Sequence, residues 1–251
     1  MAAGRIFVVA GIGTGTGTGA AAAREFSKAG YRVALIARNQ DHLKRAADSL
    51  VSSGGEAEPF PIPDYAPNSV KSAFDAIKSR WPDAPLRTAL WNAGASHFKP
   101  FLELTDDDVR QSLDTNVVAA FAFARESILA FRKQDVDEHG RRGALLFTSA
   151  TAATRGNVNT AVMAASKFGL RALSQSLAKE FGKEDIHVAT ALIDGQILNE
   201  RTTAIKGEEW ANDETLRLSP EAIAKTYLWL AHQHRSAWTW ELDLRPAHEK
   251  W

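Results

Sequence analysis

The run Gly11-Ile-Gly-Thr-Gly-Thr-Gly-Thr-Gly19 constrains this chain more than any other stretch. It follows an apolar segment, Ile6-Phe7-Val8-Val9-Ala10, and leads into an alanine-rich helical pattern, Ala20-Ala-Ala-Ala-Arg24-Glu25-Phe26, that stops at Gly30. Glycines turn the chain sharply and remove side chains that would hold a ligand off the backbone, and a helix start offers unpaired N–H groups and a partial positive charge. Strand, glycine ladder and helix therefore make a cradle for phosphate, with a dinucleotide as its guest. After Gly30, Tyr31-Arg-Val33-Ala-Leu35-Ile36-Ala37 reads as a second buried strand, and Arg38 falls where a βαβ unit meets the adenine ribose. A cation there pairs with a 2′-phosphate, whereas an acidic residue would hold free hydroxyls, so NADP(H) is favoured over NAD(H). The plainer alternative is a solvated arginine at a strand end.

Periodicity extends the pattern along the chain. Strands are expected near 6–12, 31–37, 56–62, 87–91, 143–148, 187–193 and 240–244, and helices near 18–29, 40–53, 67–80, 105–133, 159–183 and 219–233. That alternation predicts an α/β, Rossmann-type doubly wound parallel sheet with helices on both faces, forming one domain over residues 1–251. Thr105 before three aspartates and Ser219 before Pro220-Glu221 read as helix caps. The polar connection 135–142, with Gly140, reads as a surface loop. Residues 199–218 read either as a mobile flap over a substrate or as a plain surface excursion.

Thirty basic residues balance thirty acidic ones, so nothing in the charge points to nucleic acid or an anionic membrane. The expected partner is a small-molecule substrate. The chain has no cysteine, which excludes a disulfide framework and a thiolate nucleophile and argues against cysteine-rich zinc sites. We expect no metal centre. No long apolar segment or leader pattern is evident, so a cytoplasmic setting and no membrane span are expected.

Four further motifs carry a family resemblance. They are Asn92-Ala93-Gly94 after the fourth strand, Asn116 within Asp114-Thr-Asn116-Val117, Ala165-Ser166-Lys167, and Asp194-Gly195-Gln-Ile197 after the sixth strand. With Gly13, Gly17 and Gly19 of the opening loop, the chain resembles the short-chain dehydrogenases/reductases over nearly its whole length. The resemblance implies a seven-stranded parallel sheet and a homodimer or homotetramer built through the helices near 105–133 and 159–183. It also implies a nicotinamide coenzyme held by Gly13, Gly15, Gly17, Thr18 and Gly19, by Asn92, Ala93 and Gly94 at the ribose, and by Gly195 and Ile197 near the nicotinamide. Asp64 would accept from the adenine amine, although an aspartate before Tyr65-Ala66-Pro67 is equally a turn and cap residue. Lys167 would hold the ribose, and Asn116 would serve the proton relay.

The departures matter most. Where the family has a proton-donating tyrosine, four residues before the lysine, this chain has Met163, whose thioether carries no exchangeable proton. The substrate-orienting serine falls on Ala150. Ser149, one residue short, substitutes only if the strand bends or bulges there, because adjacent strand residues face opposite ways. These features, with the tail Glu241-Leu-Asp-Leu-Arg-Pro246 ending in Trp251, resemble an atypical subgroup without the tyrosine. The candidate catalytic set is thus Lys167, Asn116 and Ser149, with Lys167 or His97 as alternative proton donors. Asn199 offers an amide where the family has a hydroxyl. Phe98, Phe101, Thr154 and Trp210 read as pocket lining or as core. Three functions compete: an NADPH-dependent oxidoreductase on a carbonyl or alcohol, a coenzyme-binding sensor or partner subunit without chemistry, and a reductase of activated double bonds.

Overall fold

A computed structural model describes residues 4–250. Seven parallel strands, β1 (Ile6–Ala10), β2 (Arg32–Ala37), β3 (Glu56–Pro61), β4 (Leu86–Trp91), β5 (Gly143–Ala150), β6 (Ile186–Ile193) and β7 (Glu241–Leu244), lie in the order β3-β2-β1-β4-β5-β6-β7. The order reverses between β1 and β4, so a crevice opens beyond their C-terminal ends, where α/β sheets of this kind bind ligands.

Strand alternation divides the core into two layers. Phe7, Val9, Val33, Leu35 and Leu146 meet α1 (Thr18–Lys28), α2 (Gln40–Ser52) and the last long helix, Pro220–Ala231, on one face. Val8, Trp91, Leu145 and Phe147 meet α3 (Pro67–Arg80) and the helices after β4 and β5 on the other. Ala20–Ala23 are all buried and too small to hold α1 away from the sheet, and Phe26 stacks on Phe7 with ring centroids 3.8 Å apart. Both expected caps form. Thr105 and Asp108 make a reciprocal capping box, and Ser219 accepts from the Ala222 N–H with proline in the first turn.

Three regions differ from the sequence expectation. The helix expected near 105–133 is split into α4 (Asp106–Leu113), a π-helical turn (Asp114–Val118) and α5 (Ala119–Phe131). Asn116 explains the break: its own Nδ2 donates to the Ser112 carbonyl at 3.0 Å, the acceptor that a regular ladder gives to the Asn116 main chain. The connection 135–142 is no simple surface loop, since Arg141 is wholly buried with its Nε 3.4 Å from Asp137 Oδ2. Residues 199–218 contain two short helices, α7 (Glu200–Lys206) and α8 (Glu208–Asn212). Their base is stitched by an Ile197–Leu218 bridge and by bonds from Leu198 N–H to the Leu218 carbonyl and from Leu218 N–H to the Gln196 carbonyl. The long helix after β5 is α6 (Ala161–Phe181), and Pro220–Ala231 is α9. Trp251 lies outside the described residues.

Candidate active site

The opening loop turns directly onto α1 and lines a cleft of about 630 Å³. Gly17 is the N-cap of α1 and supplies no side-chain bond, so the first N–H groups of the helix stay available to a ligand. Gly15 has φ +104°, which a side chain would strain, and a Cβ on Gly19 would strike the Gly11 carbonyl. Cβ positions built on Gly13, Gly15 and Gly17 meet nothing, so that stretch presents bare main chain. The Thr18 hydroxyl is buried without a hydrogen-bond partner at the same cleft, an orphan that a phosphate oxygen would satisfy. These residues fit a dinucleotide diphosphate.

Arg38 lines the far end of the cleft, its guanidinium 5.5 Å from the centre of the Tyr65 ring. Sequence reading passed over Tyr65; its position just after Asp64 was the only available signal. Asp64 itself does not line the cleft. Its Oδ1 accepts from the Ala66 N–H and the Ser69 hydroxyl, bonds that hold its carboxyl below the usual range, so it serves the turn into α3.

Asn92, Ala93 and Gly94 line the middle of the cleft. Asn92 Nδ2 donates to the Gly11 carbonyl at 2.6 Å, and its Oδ1 accepts from Thr148 Oγ1 at 2.8 Å. Beside Gly94 stand Asn116 and Lys167: a Cβ there would lie 3.1 Å from Asn116 Oδ1 and 3.8 Å from Lys167 Nζ. Asn116 is fully buried, with Nδ2 bonded to the Ala95 carbonyl and to Ser166 Oγ while Oδ1 lacks a partner. Lys167 Nζ donates to the Thr148 carbonyl at 3.3 Å, and burial pushes its pKa down to about 8.

Of the other expected residues, Asn199 also lines the cleft, and the rest fall elsewhere. β5 and β6 stay in register through Ser149–Leu192 and Ala150–Ile193, so the bulge that would recruit Ser149 is missing and its hydroxyl is buried without a partner. Gly195 lies under Pro246 and Glu249 of the tail, and Ile197 packs against the core. The Asn199 amide is taken up locally, accepting from Thr202 N–H and donating to the Ile197 carbonyl. Asp194 accepts from Thr151 Oγ1 and lies 3.5 Å from Arg245. Phe98 and Phe101 are exposed rather than core. Among the described residues no cluster of three or more potential ligands gathers to hold a metal, and no helix is long and apolar enough to cross a membrane.

A family model described as short chain dehydrogenase matches residues 7–204. The chain belongs to the short chain dehydrogenase family. A solved short-chain dehydrogenase from Rhodopseudomonas palustris is 32% identical and superimposes with a TM-score of 0.76, covering 96% of this chain and 98% of that one. A metagenomic short-chain oxidoreductase in complex with NADP, 23% identical and covered over 97% of both chains, shares the fold with a TM-score of 0.78. Among curated relatives, a bovine 3-oxoacyl-[acyl-carrier-protein] reductase is 28% identical over 166 residues, 66% of this chain and 65% of that protein. An uncharacterized oxidoreductase of Bacillus subtilis is 26% identical over 213 residues, 83% of this chain and 58% of that protein. The chain thus matches somewhat under two thirds of the length of these two relatives.

Proposed function

We propose that this protein is an NADP(H)-dependent oxidoreductase that works on a carbonyl or alcohol by an atypical route, without a tyrosine acid. The uncapped start of α1, facing bare glycine main chain with Arg38 at the far end of one cleft, carries this reading. Main-chain amides hold the diphosphate, and Arg38, braced on Tyr65, pairs with the 2′-phosphate. Lys167 and Asn116 hold the ribose end and pass protons there, helped by a lysine pKa that burial brings down to about 8. When bound, the nicotinamide supplies or accepts hydride. The names of the curated relatives make 3-oxoacyl thioesters the first substrates to try.

The exposed apolar side chains Val118, Phe121 and Leu129, with Phe168 on α6, support a homodimer or homotetramer joined through these helices. A cysteine-free chain suits the reducing cytoplasm.

Met163 and Ala150 also support a second reading, a coenzyme-binding sensor without turnover. Calorimetric titration with NADPH, run beside NADPH consumption on aldehydes, ketones, enones and 3-oxoacyl thioesters, separates the two. Turnover selects the oxidoreductase, and binding without turnover on any probe selects the sensor. No heat from either nicotinamide coenzyme with folded protein overturns both.

A further inference from the structure

The coenzyme cleft has a wall that the glycine-rich loop does not supply. Asn199, Glu200 and Arg201, at the start of α7, line it together with Gly13, Thr16 and Gly17. The Glu200 N–H reaches Thr16 Oγ1 at 3.4 Å, so α7 begins against that loop. Arg201, the next residue, lines this cleft only. Thr203 and Ala204 line a second cavity of about 660 Å³, bounded by α8 and the start of α9, and Glu200 lines both. Arg201 is exposed and meets no hydrogen-bond or ion-pair partner among the described residues. Other basic groups nearby are engaged: Arg24 donates to the Gly15 carbonyl and to Glu221, Lys99 to Asp108, and Lys167 to the Thr148 carbonyl. His97, a candidate proton donor by sequence, lines no part of the cleft; its Nδ1 is 3.1 Å from Asp108 Oδ1 and its Nε2 is buried without a partner. Arg38 and Arg201 are thus the two cations of the cleft lining. α7 itself is lightly held. None of its residues is buried, Ile205 is 68% exposed, and Gly207, at φ +87°, joins it to α8. A helix with so little buried apolar surface opens at low cost, so a charge at its first turn can decide whether it stays closed.

Resting on the NADP(H) reading, we propose that Arg201 pairs with the coenzyme diphosphate and thereby fastens α7 over the cleft. The diphosphate is dianionic, and the loop that cradles it, residues 13–19, offers main-chain N–H groups and threonine hydroxyls but no cationic side chain. Arg38 lies at the far end, so the guanidinium from α7 is the cation available to it. Its planar fork can donate to oxygens of both phosphates, a geometry that an ammonium does not match. Glu200, whose carboxylate would repel the same group, also lines the second cavity, which leaves it a place away from the diphosphate. A ligand shifts a conformational equilibrium only through contacts that differ between its states, and this pair exists only with α7 closed. Because the diphosphate is common to both coenzymes, Arg201 strengthens the binding of either, while Arg38 chooses between them.

Calorimetry and hydrogen exchange test this without turnover. Arg201→Gln should weaken NADPH and NADH binding by the same factor, about tenfold, and Arg201→Lys should recover part of the loss. 2′-AMP, which has the 2′-phosphate but no diphosphate, should bind the wild type and Arg201→Gln alike. The Thr203 and Gly207 N–H groups close α7 on the Asn199 and Thr203 carbonyls. In the wild type, saturating NADPH should slow their exchange by about tenfold, and in equally saturated Arg201→Gln by less than about twofold. Unchanged coenzyme affinities, a loss confined to NADPH, weaker 2′-AMP binding, or undiminished protection in Arg201→Gln overturns the proposal. If the wild type binds NADPH and Arg201→Gln binds it equally, the pairing falls and the NADP(H) reading stands. A folded wild type that binds neither coenzyme removes both.

Discussion

The Tyr227 hydroxyl stands 2.6 Å from Thr148 Oγ1 inside the protein. Asn92 Oδ1 can only accept, so the Thr148 proton points to it and Tyr227 must donate to Thr148. Asn92 then donates to the Gly11 carbonyl. Three hydrogen bonds thus run in one direction from α9 to the glycine-rich loop. Tyr227→Phe removes only the outermost donor and should cost about 1 kcal/mol, whereas Thr148→Val strands two buried groups and should cost about 2–3 kcal/mol. Urea unfolding reads both, and equal losses would refute the relay.

Lys167 is a buried amine held at the expense of stability. Burial lowers its pKa from 10.5 to about 8, so its contribution is fully favourable only above the unfolded value and is lost as pH falls from 10.5 through 8. At pH 7 the charged lysine opposes folding of the coenzyme-free protein. Lys167→Met should therefore stabilise that form by up to about 3 kcal/mol while NADPH turnover collapses. Urea midpoints and initial rates check the two halves, and a destabilised variant would contradict the assignment.

Arg38 should set coenzyme choice. Arg38→Asp places an acceptor where the 2′-phosphate would sit, so NADPH affinity should fall about 10- to 100-fold and NADH affinity should improve. Calorimetry with each coenzyme decides, and an unchanged NADPH affinity would leave Arg38 a surface residue.

Met163→Tyr supplies a phenol one helical turn from Lys167. General acid catalysis contributes about 10²- to 10⁴-fold, so carbonyl reduction should rise within that range if the coenzyme is already well placed. A rate no faster than wild type would mean that the ring cannot reach the substrate oxygen.

His187 makes the protein acid-sensitive far from the cleft. Its Nε2–H donates to the Thr239 carbonyl and its ring stacks on Trp238, while burial, and to a lesser extent Arg141, push its pKa down to about 4. A histidine kept neutral by the fold contributes fully above its unfolded pKa of 6.5, and that contribution drains as pH falls towards 4. The loss should be on the order of 3 kcal/mol across that window. His187→Gln keeps a donor without the titration and should flatten the pH dependence of the urea midpoint.

By itself the sequence determined the sheet and a set of residues that gather at one cleft. Period-two apolar runs, alanines on one helix and glycines between them are local signals, and local signals survive in a linear reading. Gly13, Gly17, Thr18, Gly19, Arg38 and Asn92 accordingly line one cleft. Only the tertiary structure decided what depends on partners distant in the chain. Asp64 and Asn199 have the right side chains for a ligand but bond neighbouring residues instead. Ser149 has the right chemistry on the buried side of an unbulged strand. The setting of Lys167 comes from Thr148 and Gly94, and that of His97 from Asp108. Sequence fixes which chemical groups exist; burial and long-range contacts decide which of them are free to meet a substrate.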